Sequence, residues 1–170
     1  LLPEGVFDIR MTAKTDAPTL CNLAHHSYFT LGGETVSDHR LRIAAEHYLP
    51  VDEELIPTGE IRPVAGTAFD FRTPAPVRQA HPVDHNFCLS AAREPLRPVA
   101  WLDNPATGVS LELRTTEPGL HVYDGAKIDI DLPGLTGAPM RAHAGIALEP
   151  QVWPDANHHD NFPGAVLRPD

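Results

Sequence analysis

Three short stretches set polar side chains inside or beside apolar runs: Asn22-Leu23-Ala24-His25-His26-Ser27-Tyr28-Phe29, Val83-Asp84-His85-Asn86-Phe87 and the run from Gly145 to Asp155. Burying such groups is costly unless they are paired or used. Glu149 closes the apolar run Gly145-Ile146-Ala147-Leu148 and precedes Pro150. A carboxylate among apolar groups has a raised pKa, because desolvation disfavours its charged form. A general base working near neutrality needs that property; the plainer reading is an exposed glutamate where a loop starts. Asp84 either shapes a turn or accepts hydrogen bonds from ligand hydroxyls. His25 and His26, if they lie on a strand, point to opposite faces, so one faces a cleft and the other solvent or core. The alternative is a hydrogen-bonded structural histidine.

Other chemistries find little support. The ten histidines include two adjacent pairs, His25-His26 and His158-His159, but no H-x-x-x-H or H-E-x-x-H helix motif, so no metal site is expected. There is no glycine-rich phosphate loop and no G-x-S-x-G elbow. Cys21 and Cys88 are far apart, form no C-x-x-C pair and sit in apolar runs, as buried free thiols do. A reducing compartment fits them. The formal net charge of −10, with no Lys/Arg run, argues against nucleic acid and anionic membrane surfaces as partners.

The elements that must position these residues are strands. Eighteen prolines and twelve glycines in 170 residues disfavour helices, since proline removes a backbone donor and breaks helix interiors. Phe7, Ile9, Met11 and Ala13 alternate with Asp8, Arg10, Thr12 and Lys14, which predicts a half-buried strand over Val6–Lys14. Leu41-Ile43-Ala45 and Val109-Leu111-Leu113 repeat the period of two. Shorter candidates are Asn86–Leu89, Val99–Leu102, Leu120–Tyr123 and Gly145–Glu149. Turn signals at Gly32-Gly33, Pro57-Thr58-Gly59, Asn104-Pro105, Pro118-Gly119 and Pro133-Gly134 separate them. Many short strands with frequent turns predict one all-β domain, an antiparallel sandwich.

Taken in order along the chain, these motifs resemble the aldose 1-epimerase (galactose mutarotase) family. Asn22 to Leu31 resembles its N-L-T-N-H-S-Y-F-N-L segment. Leu49-Pro50-Val51-Asp52-Glu53 through Ile56-Pro57-Thr58-Gly59-Glu60 resembles its PVDE…IPTGEI stretch. Val64 to Phe71 follows V-x-G-T-P-F-D-F, and Asp84-His85-Asn86-Phe87 matches D-H-N-F. Thr115 to Leu120, Ala147 to Gln151, Phe162-Pro163 and Leu167-Arg168-Pro169 complete the series.

The resemblance implies a galactose mutarotase-like β-sandwich and a free aldohexose as substrate, with no cofactor. It makes His26 the catalytic acid and Glu149 the catalytic base, with Asp84 and His121 binding sugar hydroxyls. Trp153 then offers an apolar platform to the sugar ring. Ala24, His25 and Thr30 depart from the family's usual residues, and His121 stands where many members carry Gln. Family members are roughly twice this length, so this chain is expected to be the C-terminal portion, with the N-terminal half absent. Open sheet edges would then make it marginal alone and favour homo-oligomers, and a cytoplasmic location is expected. Two other functions fit the same motifs: a non-catalytic sugar-binding module, and an epimerase of hexose 6-phosphates.

Overall fold

Period-two stretches become strands here wherever a neighbouring strand supplies hydrogen bonds. The computed structural model describes residues 3–77, 81–135 and 137–169. Its strands are β1 (Thr19–Leu20), β2 (Tyr28–Phe29), β3 (Arg40–Ile43), β4 (His47–Tyr48), β5 (Arg62–Pro63), β6 (Ala75–Pro76) and β7 (Asp84–Cys88). There follow β8 (Arg97–Asn104), β9 (Val109–Thr115), β10 (Gly119–Tyr123), β11 (Ile130–Pro133), β12 (Pro139–Met140), β13 (Ile146–Gln151) and β14 (Val166–Leu167). The single helical turn among the described residues is a 3₁₀ turn at Pro3–Gly5. None of the described helices is long and apolar enough to cross a membrane.

Two antiparallel sheets form the body, a six-stranded one in the order β2-β13-β10-β7-β4-β5 and a four-stranded one in the order β6-β3-β8-β9. Register fixes which side chains share a face, because successive residues of a strand point to opposite sides. In the four-stranded sheet Leu41, Leu102 and Leu111 are aligned, as are Ile43, Ala100 and Leu113. Between those rows Arg42, Trp101 and Glu112 point outward, with the Arg42 guanidinium 3.6 Å over the Trp101 ring.

In the six-stranded sheet Phe87 is aligned with Leu120, and His85 with Val122 and Leu148. The inner faces of both sheets join in one buried cluster that includes Leu41, Ile43, Ala100, Leu102, Phe87, Leu120, Val122 and Leu148. Burial of large side chains of this kind supplies the main folding drive, about 1.5–3 kcal/mol each.

The segment Val6–Lys14 is not a strand. Its alternating apolar residues stay in water: Phe7 is 57% exposed and Met11 46%. Alternation can favour an extended chain, but a strand also needs a partner for its N–H and C=O groups. No strand pairs with this segment among the described residues.

Candidate active site

The outward face of the six-stranded sheet is polar in its middle. Asn86, His121 and Glu149 lie side by side across β7, β10 and β13. One step along, Asp84 is aligned with Tyr123, which faces Ala147, and Ala147 faces Tyr28 of β2. The residues between them in sequence point the other way, into the core. Alternation thus sorts each strand into an apolar half that binds the second sheet and a polar half left free for a ligand.

A cleft of about 350 Å³ lies over this face, lined by His26, Tyr28, Asp84, His121, Tyr123, Glu149, Gln151 and Pro154. The four residues assigned to the site from sequence therefore line one cavity. The Nε2 of His26 stands 3.4 Å from Oε1 of Glu149, and the two side chains differ sharply in exposure, 56% against 8%. His121 Nε2 lies 2.9 Å from Asp84 Oδ1.

His26 is not on a strand but in the loop before β2. What holds that loop over the sheet is Asn22. Its carboxamide donates to the Val152 carbonyl and accepts from the Val152 N–H, both at 2.9 Å. A side chain here does what a neighbouring strand would do, at the end of the strand that carries Glu149. His25 turns aside; its ring packs edge-on against Phe7 and its Nε2 is 3.0 Å from the Ser27 hydroxyl. Asp84 is fixed at the start of β7, where buried Asp124 accepts from the Val83 N–H at 3.2 Å.

The two carboxylates experience opposite fields. Burial pushes the Glu149 carboxyl above its ordinary range, while His121 and His26 oppose the shift and Asp84 adds to it. The hydrogen bond from His121 holds Asp84 below the usual carboxylate range despite its partial burial. Burial also raises the Tyr28 hydroxyl. On the core side of β7, burial pushes His85 down to about 4. One carboxylate is thus shifted toward keeping its proton, and the other stays charged to accept hydrogen bonds.

Trp153 is not a ring platform. It is 5% exposed, packed with Leu49 and Phe162, and its indole N–H donates to the Pro118 carbonyl. The aromatic walls of the cleft are Tyr28 and Tyr123, packed edge-to-face with centroids 6.2 Å apart. Sequence reading gave these tyrosines, Gln151, Pro154 and Asn22 no role. Gln151 and Tyr123 were accessible by parity, two residues from Glu149 and His121. Asn22 was not, since its partner is 130 residues away. Cys21 and Cys88 are free and partly buried, and burial raises the Cys88 thiol to about 12, too high for a nucleophile. Among the described residues no group of three or more His, Cys, Asp or Glu is placed to hold a metal ion.

The family profile described as Aldose 1-epimerase matches residues 2–170. Galactose mutarotase of Mus musculus is 44% identical, over 99% of this chain and 52% of the relative. Aldose 1-epimerase of Haemophilus influenzae is 35% identical, over 95% of this chain and 51% of the relative. The crystal structure of an aldose epimerase homologue from C. elegans superimposes with a TM-score of 0.83 at 29% identity, covering 92% of this chain and 49% of that one. The fold is therefore galactose mutarotase-like, and the chain spans about half the length of the curated relatives it matches.

Proposed function

The chain belongs to the aldose 1-epimerase family, and from that premise we propose that its cleft binds a free aldohexose and interconverts the α and β anomers. The observation that carries this reading is the approach of the exposed His26 imidazole to the buried Glu149 carboxylate in one cavity. Glu149, ionised, takes the proton of the C1 hydroxyl. The electrons left on that oxygen form the C1 carbonyl, and the C1–O5 bond breaks. Protonated His26 gives its proton to O5, leaving an open-chain aldehyde. Rotation about C1–C2 presents the other carbonyl face, and reclosure with the roles reversed yields the other anomer. The acid and base must sit on opposite sides of one bond. A bound pyranose would enter between the two groups, the loop-borne His26 giving way while Glu149 stays fixed in its strand. Asp84 and His121 bind sugar hydroxyls beside it.

Polarimetry on freshly dissolved α-galactose and α-glucose tests the reading. The protein should speed the approach to anomeric equilibrium, and Glu149→Ala should return it to the solvent rate. An unchanged rate in Glu149→Ala rejects Glu149 as the base. Sugar binding without rate enhancement selects instead a binding module on the same fold, a reading favoured by the chain's half coverage of its relatives. The third reading, a hexose 6-phosphate epimerase, is the weaker one. The described lining residues include two carboxylates and no Arg or Lys, a poor setting for a phosphate dianion.

We further read residues 1–170 as a single unit within a galactose mutarotase-like sandwich, able to self-associate through open sheet edges. The free cysteines fit a reducing, cytoplasmic setting.

A further inference from the structure

Among the described residues, three buried polar atoms on the site face have no hydrogen-bond partner: Nδ2 and Oδ1 of Asn86, and Nδ1 of His121. Asn86 is only 2% exposed. Leaving such atoms unpaired costs the full desolvation of each group. Asn86 and His121 are directly opposed on β7 and β10, so their Cβ atoms are about 5 Å apart on the same face. Neighbouring residues make room for this carboxamide. A β-carbon at Gly119 would lie 2.6 Å from Asn86 Oδ1 and 2.8 Å from Trp153 Cδ1. Glycine at that position thus opens a niche beneath Trp153 that Asn86 fills.

The protonation of His121 follows from its other nitrogen. Nε2 lies 2.9 Å from an Asp84 oxygen, and an ionised carboxylate only accepts hydrogen bonds. Nε2 therefore carries a proton and donates it. In the neutral ring Nδ1 then presents a lone pair that needs a donor. The buried side-chain donor left unpaired among the described residues of this face is the Asn86 amide.

We propose that Asn86 is a positioning residue for His121, donating from Nδ2 to Nδ1 through one bridging water and so fixing the neutral Nε2–H tautomer that orients Asp84. The tautomer assignment stands on this geometry alone. Its consequence, an Asp84 carboxylate held ready for a sugar hydroxyl, rests on the proposed function. Besides Asp84 on β7, the titratable groups of this cavity are Glu149 on β13, His26 in the loop before β2, Tyr28 on β2 and Tyr123 on β10; His85 lies on the opposite face of β7.

Long-range ¹H–¹⁵N correlation spectra of the histidine rings, with His121 assigned through His121→Gln, test the proposal without any sugar present. Above its titration, His121 of the unaltered protein should be protonated on Nε2 alone. In Asn86→Asp the new carboxylate should favour the doubly protonated ring and raise its titration midpoint by about one to three pH units. A proton on Nδ1 in the unaltered protein overturns the proposal, and that measurement needs no variant to fold. A titration unmoved in a folded Asn86→Asp protein also overturns it. Neither result depends on the polarimetric outcome, so failure here and failure of the epimerase reading are separable.

Discussion

Glu149 and Asp84 share one cavity, yet their surroundings drive them apart: burial lifts the first, and the His121 hydrogen bond depresses the second. A base acts only when ionised, so the rate should fall as pH drops through the raised Glu149 pKa, with the acid limb displaced above the ordinary value of 4.5. The same shift bears on stability. A carboxyl whose folded pKa exceeds its unfolded one stabilises fully below the unfolded value and loses that contribution as pH rises through the folded value. At neutral pH the ionised Glu149 is therefore a burden on the fold. Glu149→Gln should lower the epimerase rate by roughly 10²–10⁴ while raising the melting temperature at pH 7. Polarimetry and calorimetry on the same variant check both signs, and a lowered melting temperature would contradict the burial argument.

At the scale of elements, β7 carries opposite demands on its two faces. Its site face presents Asp84 and Asn86, and its core face presents His85 against Phe69 and Tyr48. Because His85 is depressed to about 4 from 6.5, its contribution to stability is complete above the unfolded value. It is lost as pH falls through the interval from about 6.5 to about 4. Urea midpoints should decline over that interval, and His85→Leu should flatten the decline.

β10 makes a steric demand instead. Gly119 has no unusual backbone angle, yet an added methyl meets Asn86 and Trp153 at less than 3 Å. Gly119→Ala should destabilise by about 1–3 kcal/mol through overpacking, read as a lower urea midpoint with an unchanged slope. An unaltered midpoint would show that the niche can yield.

Over the whole molecule, the sandwich buries one apolar face of each sheet but leaves further apolar surface in water. Val6, Phe7, Ile9 and Met11 are exposed together in one unpaired segment, and Leu20, Leu23 and Val166 are exposed in and near the β1–β14 ribbon. Exposed apolar groups beside unpaired backbone favour association. Sedimentation of the isolated chain should show concentration-dependent self-association, reduced by Phe7→Ser with Ile9→Ser. A monomeric chain with a cooperative thermal transition at ordinary temperature would reject this expectation.

The sequence alone determined the strand parity of β3 and β9, because a half-buried strand must alternate, and it marked β7, β10 and β13 as shorter strands without assigning their faces. It also marked His26, Asp84, His121 and Glu149, through motifs resembling those of a known family. It could not decide whether Val6–Lys14 would find a partner, since alternation records a preference for an extended chain and not the presence of a neighbour. Nor could it place Trp153 inside or outside the cleft, because an indole suits both a ring platform and a core, and only packing with Leu49 and Phe162 chose the core. The meeting of His26 with Glu149, and of Asn86 with His121, belongs to tertiary structure. Register across strands distant in sequence sets those distances, and no local pattern contains them.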